Sequence, residues 1–188
     1  MLRNDFEIIK QKYKENCRTE STNNLVLKLY SFLLTHEEWD SDFWTQGNGY
    51  EDIRRILFEF DNDDWSRLTD DLSNWTSDQI YLFNHGLLCV DFYTINYNEE
   101  EINNIENSFA IIPTLLKIGE TEGEISDNIE NFIKIYFPKV DAKNGRIINA
   151  ITELKKWNDN NPWLQITGEM IKSPFTQTIE NAYQIVCS

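Results

Sequence analysis

Apolar residues recur along this chain at the three- and four-residue steps of an α-helix almost from end to end, and that spacing restricts its fold more than any other feature. Phe6, Ile9 and Tyr13 open the series, followed by Leu25, Leu29, Phe32 and Leu33, then by Tyr50, Ile53, Leu57 and Phe60. Trp65, Leu68 and Leu72 share a stripe, as do Ile102, Ile105, Phe109 and Ile112. Ile125, Ile129, Phe132 and Tyr136 come next, then Ile147, Ile151 and Leu154, and Phe175, Ile179, Tyr183 and Val186 close the chain. Each set lays an apolar stripe along one side of a 3.6-residue helix.

The pattern predicts an all-α protein of about nine or ten helices, as an irregular antiparallel helical bundle or a short HEAT-like helical stack. No fixed repeat period is visible, which favours the bundle. Start signals agree with the stripes. Thr76-Ser77-Asp78-Gln79 and Asn98-Glu99-Glu100-Glu101 read as capping boxes, and Ser173-Pro174 as a cap followed by a proline at the first helical position. Breaks fall at Gly47-Asn48-Gly49, Asn74, Gly119 to Gly123, Pro138 and Asn158 to Pro162. Pro113 is expected to kink or split the helix that begins near Glu99. One stretch, Cys89 to Tyr97, is rich in β-branched and aromatic residues. Its first half reads as helix, because no second convincing strand is on hand to pair with it.

With 188 residues, 40% of them hydrophobic, the chain has material for one packed core, so residues 1–188 read as a single helical domain. Met1 to Phe6 lacks the apolar core of a signal peptide, and no stretch approaches the roughly 18 apolar residues of a membrane helix. Cys17, Cys89 and Cys187 are odd in number and far apart, which fits a reducing compartment. The expectation is a cytoplasmic protein that does not enter a membrane.

Charge is segregated. Residues 36–110 hold 18 acids against 3 bases, while residues 1–35 hold 4 against 6 and residues 111–188 hold 10 against 8. The whole net charge of −15 therefore belongs to the central block. Such a field repels nucleic acid and anionic lipid and draws in a basic protein surface. Part of it has a structural use, since acids in first turns suit the helix dipole. The basic cluster of Lys10, Lys12, Lys14 and Arg18 is expected to meet the acidic centre of its own fold.

Familiar chemistries are missing. His36 and His85 are the only histidines, and neither sits in a metal-binding or nucleophile motif. Gly-x-Ser-x-Gly and phosphate-loop patterns are absent. Asp61-Asn62-Asp63-Asp64 resembles the opening of a calcium loop, but Ser66 and Leu72 stand where its glycine and glutamate belong. No enzyme activity, cofactor or metal site is expected.

The segment from His36 to Trp75 holds four of the six tryptophans among many of the carboxylates. Aromatic anchors beside acids suit a cationic partner, the rings supplying desolvated area and the acids steering. The candidate partner-binding residues are Trp39, Asp40, Asp42, Trp44, Asp61, Asp63, Asp64, Asp70 and Asp71, with Glu99 and Glu100 from the next acidic helix. Trp65 belongs to a core stripe, whereas Trp39 and Trp44, in a polar stretch, are expected to be partly exposed.

Asp64-Trp65-Ser66-Arg67-Leu68, with Leu72-Ser73-Asn74-Trp75-Thr76-Ser77-Asp78-Gln79, resembles a pattern of small helical bacterial immunity proteins of polymorphic and contact-dependent toxin systems. The resemblance implies a protein without chemistry of its own that blocks a cognate toxin by binding it. Acidic members cover a basic cleft, as of a nuclease. The alternatives are a helical-repeat scaffold or adaptor and an acidic nucleic-acid mimic that inhibits a nuclease.

Overall fold

The computed structural model describes residues 3–45, 48–90, 99–118, 122–160, 164–166, 169–171 and 175–188. Among them the protein is all-α, with ten α-helices and one short two-stranded ribbon. The chain divides into two compact units, residues 1–93 and 94–188.

The first unit contains α1 (Arg3–Lys12), α2 (Asn24–His36), α3 (Ser41–Thr45), α4 (Gly49–Leu57), α5 (Asn62–Asp71) and α6 (Ser77–Leu87), with a 3₁₀ turn at Leu72–Asn74. Helix α2 is central, and α1, α4, α5 and α6 all pack on it. Its stripe explains why, since Val26, Leu29, Tyr30 and Leu33 are wholly buried. Asn23 caps its start by accepting from the Leu25 and Val26 amides at 2.9 and 3.0 Å. Helix α4 lies close against α6 because Gly86 has no side chain; a Cβ there would stand 2.5 Å from Ile53 Cβ. Arg54, 4% exposed, donates from Nη1 to the Leu87 carbonyl at 2.7 Å, placing a cation at the C-terminal end of α6.

The second unit contains α7 (Glu99–Leu115), α8 (Glu122–Tyr136), a 3₁₀ turn at Phe137–Lys139, α9 (Gly145–Asn160), β1 (Leu164–Ile166), β2 (Glu169–Ile171) and α10 (Phe175–Val186). Helix α9 packs on both α7 and α10, and α10 also packs on α8. Ile105, Phe109, Phe132, Tyr136, Ile147, Ile151, Leu154 and Ile179 are wholly buried. Polar links fix the pairs: Arg146 donates to Asn107 at 2.8 Å, and Lys155 bridges Asp159 and Glu180.

The stripes and the Thr76 capping box are found as expected, with Thr76 Oγ1 accepting from the Gln79 amide and Gln79 Oε1 from the Thr76 amide. Asn98, Ser173 and Pro174, expected to begin α7 and α10, lie outside the described residues, as do Gly47 and residues 91–97. Three expectations need correction. Cys89 and Val90 follow the end of α6 in non-helical backbone, after the Leu88 and Cys89 amides close the last turn. A pair of strands does exist, downstream of that stretch: Leu164–Ile166 runs antiparallel to Glu169–Ile171, with Leu164 opposite Ile171 and Ile166 opposite Glu169. Pro113 does not split α7, which continues to Leu115. The proline removes only its own N–H bond to the Phe109 carbonyl, and the buried Ile111, Ile112 and Leu115 hold the helix on both sides of it.

No helix among the described residues is long and apolar enough to cross a membrane.

Candidate functional site

Where α2 ends, the chain turns sharply into the five-residue α3. Glu37 and Glu38 form the turn, and the Asp40 carboxylate accepts from the Phe43 amide at 3.0 Å to start α3. The first turn of α6 comes alongside, because the Gln79 side chain reaches across to Glu37. A cleft of about 270 Å³ opens there, lined by Glu37, Trp39, Ser41, Trp44, Tyr50, Asp78, Tyr81 and Leu82.

The four rings that line it, Trp39, Trp44, Tyr50 and Tyr81, are joined in a chain of ring contacts through Phe43 and His85, which stand outside the lining. Trp39 lies 4.5 Å from Phe43, Phe43 5.1 Å from Trp44, and Trp44 5.6 Å from Tyr50. Tyr50 stacks on His85 at 5.1 Å, and His85 meets Tyr81 at 4.5 Å. His36 stacks on Phe43 at 5.1 Å, and its Nδ1 lies 2.7 Å from the Phe32 carbonyl. Both histidines thus act as packing residues at helix ends. Trp39 and Tyr81, on the rim, are 53% and 43% exposed. Large exposed apolar side chains so close together are the mark of a contact surface.

The expected partial exposure is therefore correct for Trp39 and not for Trp44, which is 5% exposed. The reason is local. Gly49, at the start of α4, has no side chain, and a Cβ there would stand 2.7 Å from Trp44 Cε3. The indole fills that space and packs edge-on against Phe32 at 6.0 Å. Trp44 floors the cleft, and Trp39 is presented above it.

Glu37 belongs to the acidic segment between His36 and Trp75 but is not among the candidate partner-binding residues. Its carboxylate accepts from Asn16 Nδ2 at 3.2 Å and from Gln79 Nε2 at 3.0 Å. Gln79, fully buried, also donates to the Asn16 carbonyl and accepts from the Tyr30 hydroxyl at 3.0 Å. A buried polar network thus holds Glu37 in one position. Burial pushes its carboxyl above the usual range, and the like charges of Asp78 and Glu38 push the same way against the hydrogen bonds from Gln79 and Asn16. Burial, with the neighbouring Tyr81 hydroxyl, raises Tyr50 to about 12, so its phenol stays neutral. Neither network has a local signature, since Asn16, Glu37 and Gln79 are far apart in sequence.

The other sequence-derived candidates lie elsewhere. Asp61 caps α5, accepting from the Asp63 and Asp64 amides at 2.8 and 3.0 Å, and Asp64 returns the bond by accepting from the Asp61 amide at 2.9 Å. Asn23 Nδ2 donates to Asp64 at 2.6 Å, which ties this end of α5 to the start of α2. Glu37 lies past the other end of that 13-residue helix, about 20 Å away at 1.5 Å per residue. The acids at the start of α5 and those beside the cleft are therefore separate groups. Asp63 is exposed and pairs with Arg67 at 3.6 Å. Asp42 is exposed in the first turn of α3, and Asp70 is exposed near the end of α5. Asp71 is 4% exposed and serves the fold. It and Asp70 line a second recess of about 240 Å³, which Arg67 also lines. Glu99 and Glu100 begin α7 in the second unit, and their side chains are outside those described.

Among the described residues, no group of three or more His, Cys, Asp or Glu side chains is placed to hold a metal ion. No ion pair there joins Lys10, Lys12, Lys14 or Arg18 to a carboxylate, against expectation; all four residues are exposed to solvent. Comparison with protein-family models, curated proteins and solved structures gives no match to this chain.

Proposed function

We propose that this chain is a non-catalytic inhibitory binding protein, a bacterial immunity protein that neutralises a cognate toxin in the cytoplasm by covering a basic surface. Its main support is the cleft of Trp39, Trp44, Tyr50 and Tyr81, whose lining includes two carboxylates and no cationic side chain. Exposed aromatic anchors beside acids are the composition of a protein contact with desolvated area at its centre and charge at its rim. The surrounding negative field would speed encounter with a basic partner. A nuclease, with its basic substrate cleft, is one such toxin.

The distribution of acids weighs against the nucleic-acid mimic. A mimic needs rows of solvent-facing charge, whereas Asp71 is buried and Glu51, Asp52, Glu59 and Asp63 are paired with cations of the same fold.

Co-expression with the product of the adjacent gene, which the proposal requires to be toxic when expressed alone, tests it. Growth should be restored and a complex should form, with an association rate that falls as salt rises. Glu38→Lys with Asp78→Lys should slow association far more than Glu130→Lys with Glu153→Lys. Failure of protection, or equal effects of the two pairs in folded variants, overturns it.

A further inference from the structure

We infer that the cleft beside α3 is a receptor for a single arginine side chain of the bound partner, its guanidinium lying on the aromatic walls and donating to Glu37 and Asp78. The inference rests on the proposal that this cleft faces the partner, and it goes further by naming what enters.

Size limits the occupant. At about 270 Å³ the cleft falls just below the roughly 300–1,000 Å³ of sites for drug-sized ligands, so it takes one side chain rather than a cofactor. Charge sets its sign. Glu37 and Asp78 enter from two elements, and none of the lining residues is cationic. Glu37 is part-buried beside like charges, an arrangement that a cation would relieve.

Shape and hydrogen bonding then separate the cations. A quaternary ammonium has no N–H, and would add no hydrogen bond to either carboxylate. Lysine offers a compact, strongly hydrated charge that gains little from flat rings. A guanidinium is planar, weakly hydrated and carries five donors in a fixed fork, so it can stack on an aromatic face while bonding carboxylates at its edge. The site is also prepared in advance. Asn16 and Gln79 each engage one oxygen of Glu37 and leave further acceptor capacity on both. Gly49 seats Trp44, so little has to be ordered when the guest arrives.

Titration of the whole chain with N-acetyl-arginine methylamide tests this, followed by the indole N–H signals of Trp39 and Trp44 in proton–nitrogen NMR spectra. The lysine and citrulline counterparts and tetramethylammonium are run alongside. Arginine should give saturable shifts in the millimolar range, about tenfold tighter than neutral citrulline. Asp78→Asn and Trp39→Ala should each weaken binding about fivefold in a chain that stays folded, with a loss of no more than a few degrees in melting temperature, since both side chains are exposed on the rim. Equal binding of citrulline, tighter binding of lysine or tetramethylammonium, or no saturable shift overturns the inference. If arginine binds as expected and the chain protects against no toxin, the function proposed above fails alone. If protection holds and Asp78→Asn and Trp39→Ala leave inhibition intact, the arginine receptor fails alone.

Discussion

The indole N–H of Trp75 donates to Oδ2 of Asp71 at 2.9 Å, one turn apart, and makes the end of α5 a junction. The same carboxylate accepts from the Thr19 hydroxyl, from the Glu20 amide at 2.8 Å and from Asn74 Nδ2 at 3.0 Å. Four donors therefore converge on one carboxylate, joining the segment before α2 to the turn before α6. Trp75, so fixed, packs on Tyr30 at 5.1 Å and edge-on against Phe83 at 5.5 Å.

Removing that acceptor should be costly. Asp71→Ala leaves the buried Trp75 N–H and Thr19 hydroxyl without their partner, a loss of about 2–5 kcal/mol. Urea unfolding followed by tryptophan fluorescence measures it. A change below about 0.5 kcal/mol would show that Asp71 is only one more surface acid.

Gly86 should tolerate no side chain while Ile53 is in place. Overpacking in Gly86→Ala costs about 1–3 kcal/mol, and better helix propensity returns about 1 kcal/mol, so a net loss of up to about 2 kcal/mol is expected. In an Ile53→Gly background the same change should be neutral or stabilising, because the Cβ that it meets at 2.5 Å is gone with the rest of the side chain. Equal effects in both backgrounds would mean that α4 and α6 are not in close contact there.

Stability should depend on pH through Glu37. Its folded-state pKa is raised above the ordinary 4.5, so the folded state holds the proton more tightly than the unfolded chain. The resulting stabilisation is complete below the ordinary value and is lost as pH rises through the raised one. The stability of the natural protein minus that of Glu37→Gln should thus grow as pH falls through that window. Arginine binding should run the opposite way, weakening as Glu37 takes up its proton. Denaturant melts of both proteins across pH 4–7 read the first effect, and the NMR titration reads the second. A difference that is flat with pH contradicts the buried placement of Glu37.

Millimolar calcium or magnesium should leave the melting temperature nearly unchanged. The oxygens of Asp61, Asp64 and Asp71 are occupied by backbone and side-chain donors, and a cation would have to displace them. A rise of many degrees at micromolar ion would demonstrate a site and reopen the metal chemistry.

Helix identity and the Thr76 cap were legible in the sequence because both are local. A stripe needs only residues three and four apart, and a cap needs only the next turn, so the apolar pattern marked every described helix of nine or more residues except α6, which the Thr76 cap marked. The segregation of charge was equally plain, being a count along the chain. Burial of individual tryptophans was not. Helix α3 is only five residues long and carries no stripe of its own, and the fate of Trp44 depends on a glycine that begins the following helix. Asp71 and Asp70 are adjacent and chemically identical, yet one is a buried junction and the other is exposed, because the donors that decide it come from residues 19, 20, 74 and 75. Glu37 owes its fixed position to Asn16 and Gln79, on either side of it by 21 and 42 residues. Local spacing thus determined which segments are helices and where the charge lies. Only the tertiary structure decided which acids are spent on the fold and which line a cleft, since hydrogen bonding and desolvation depend on neighbours in space rather than in sequence.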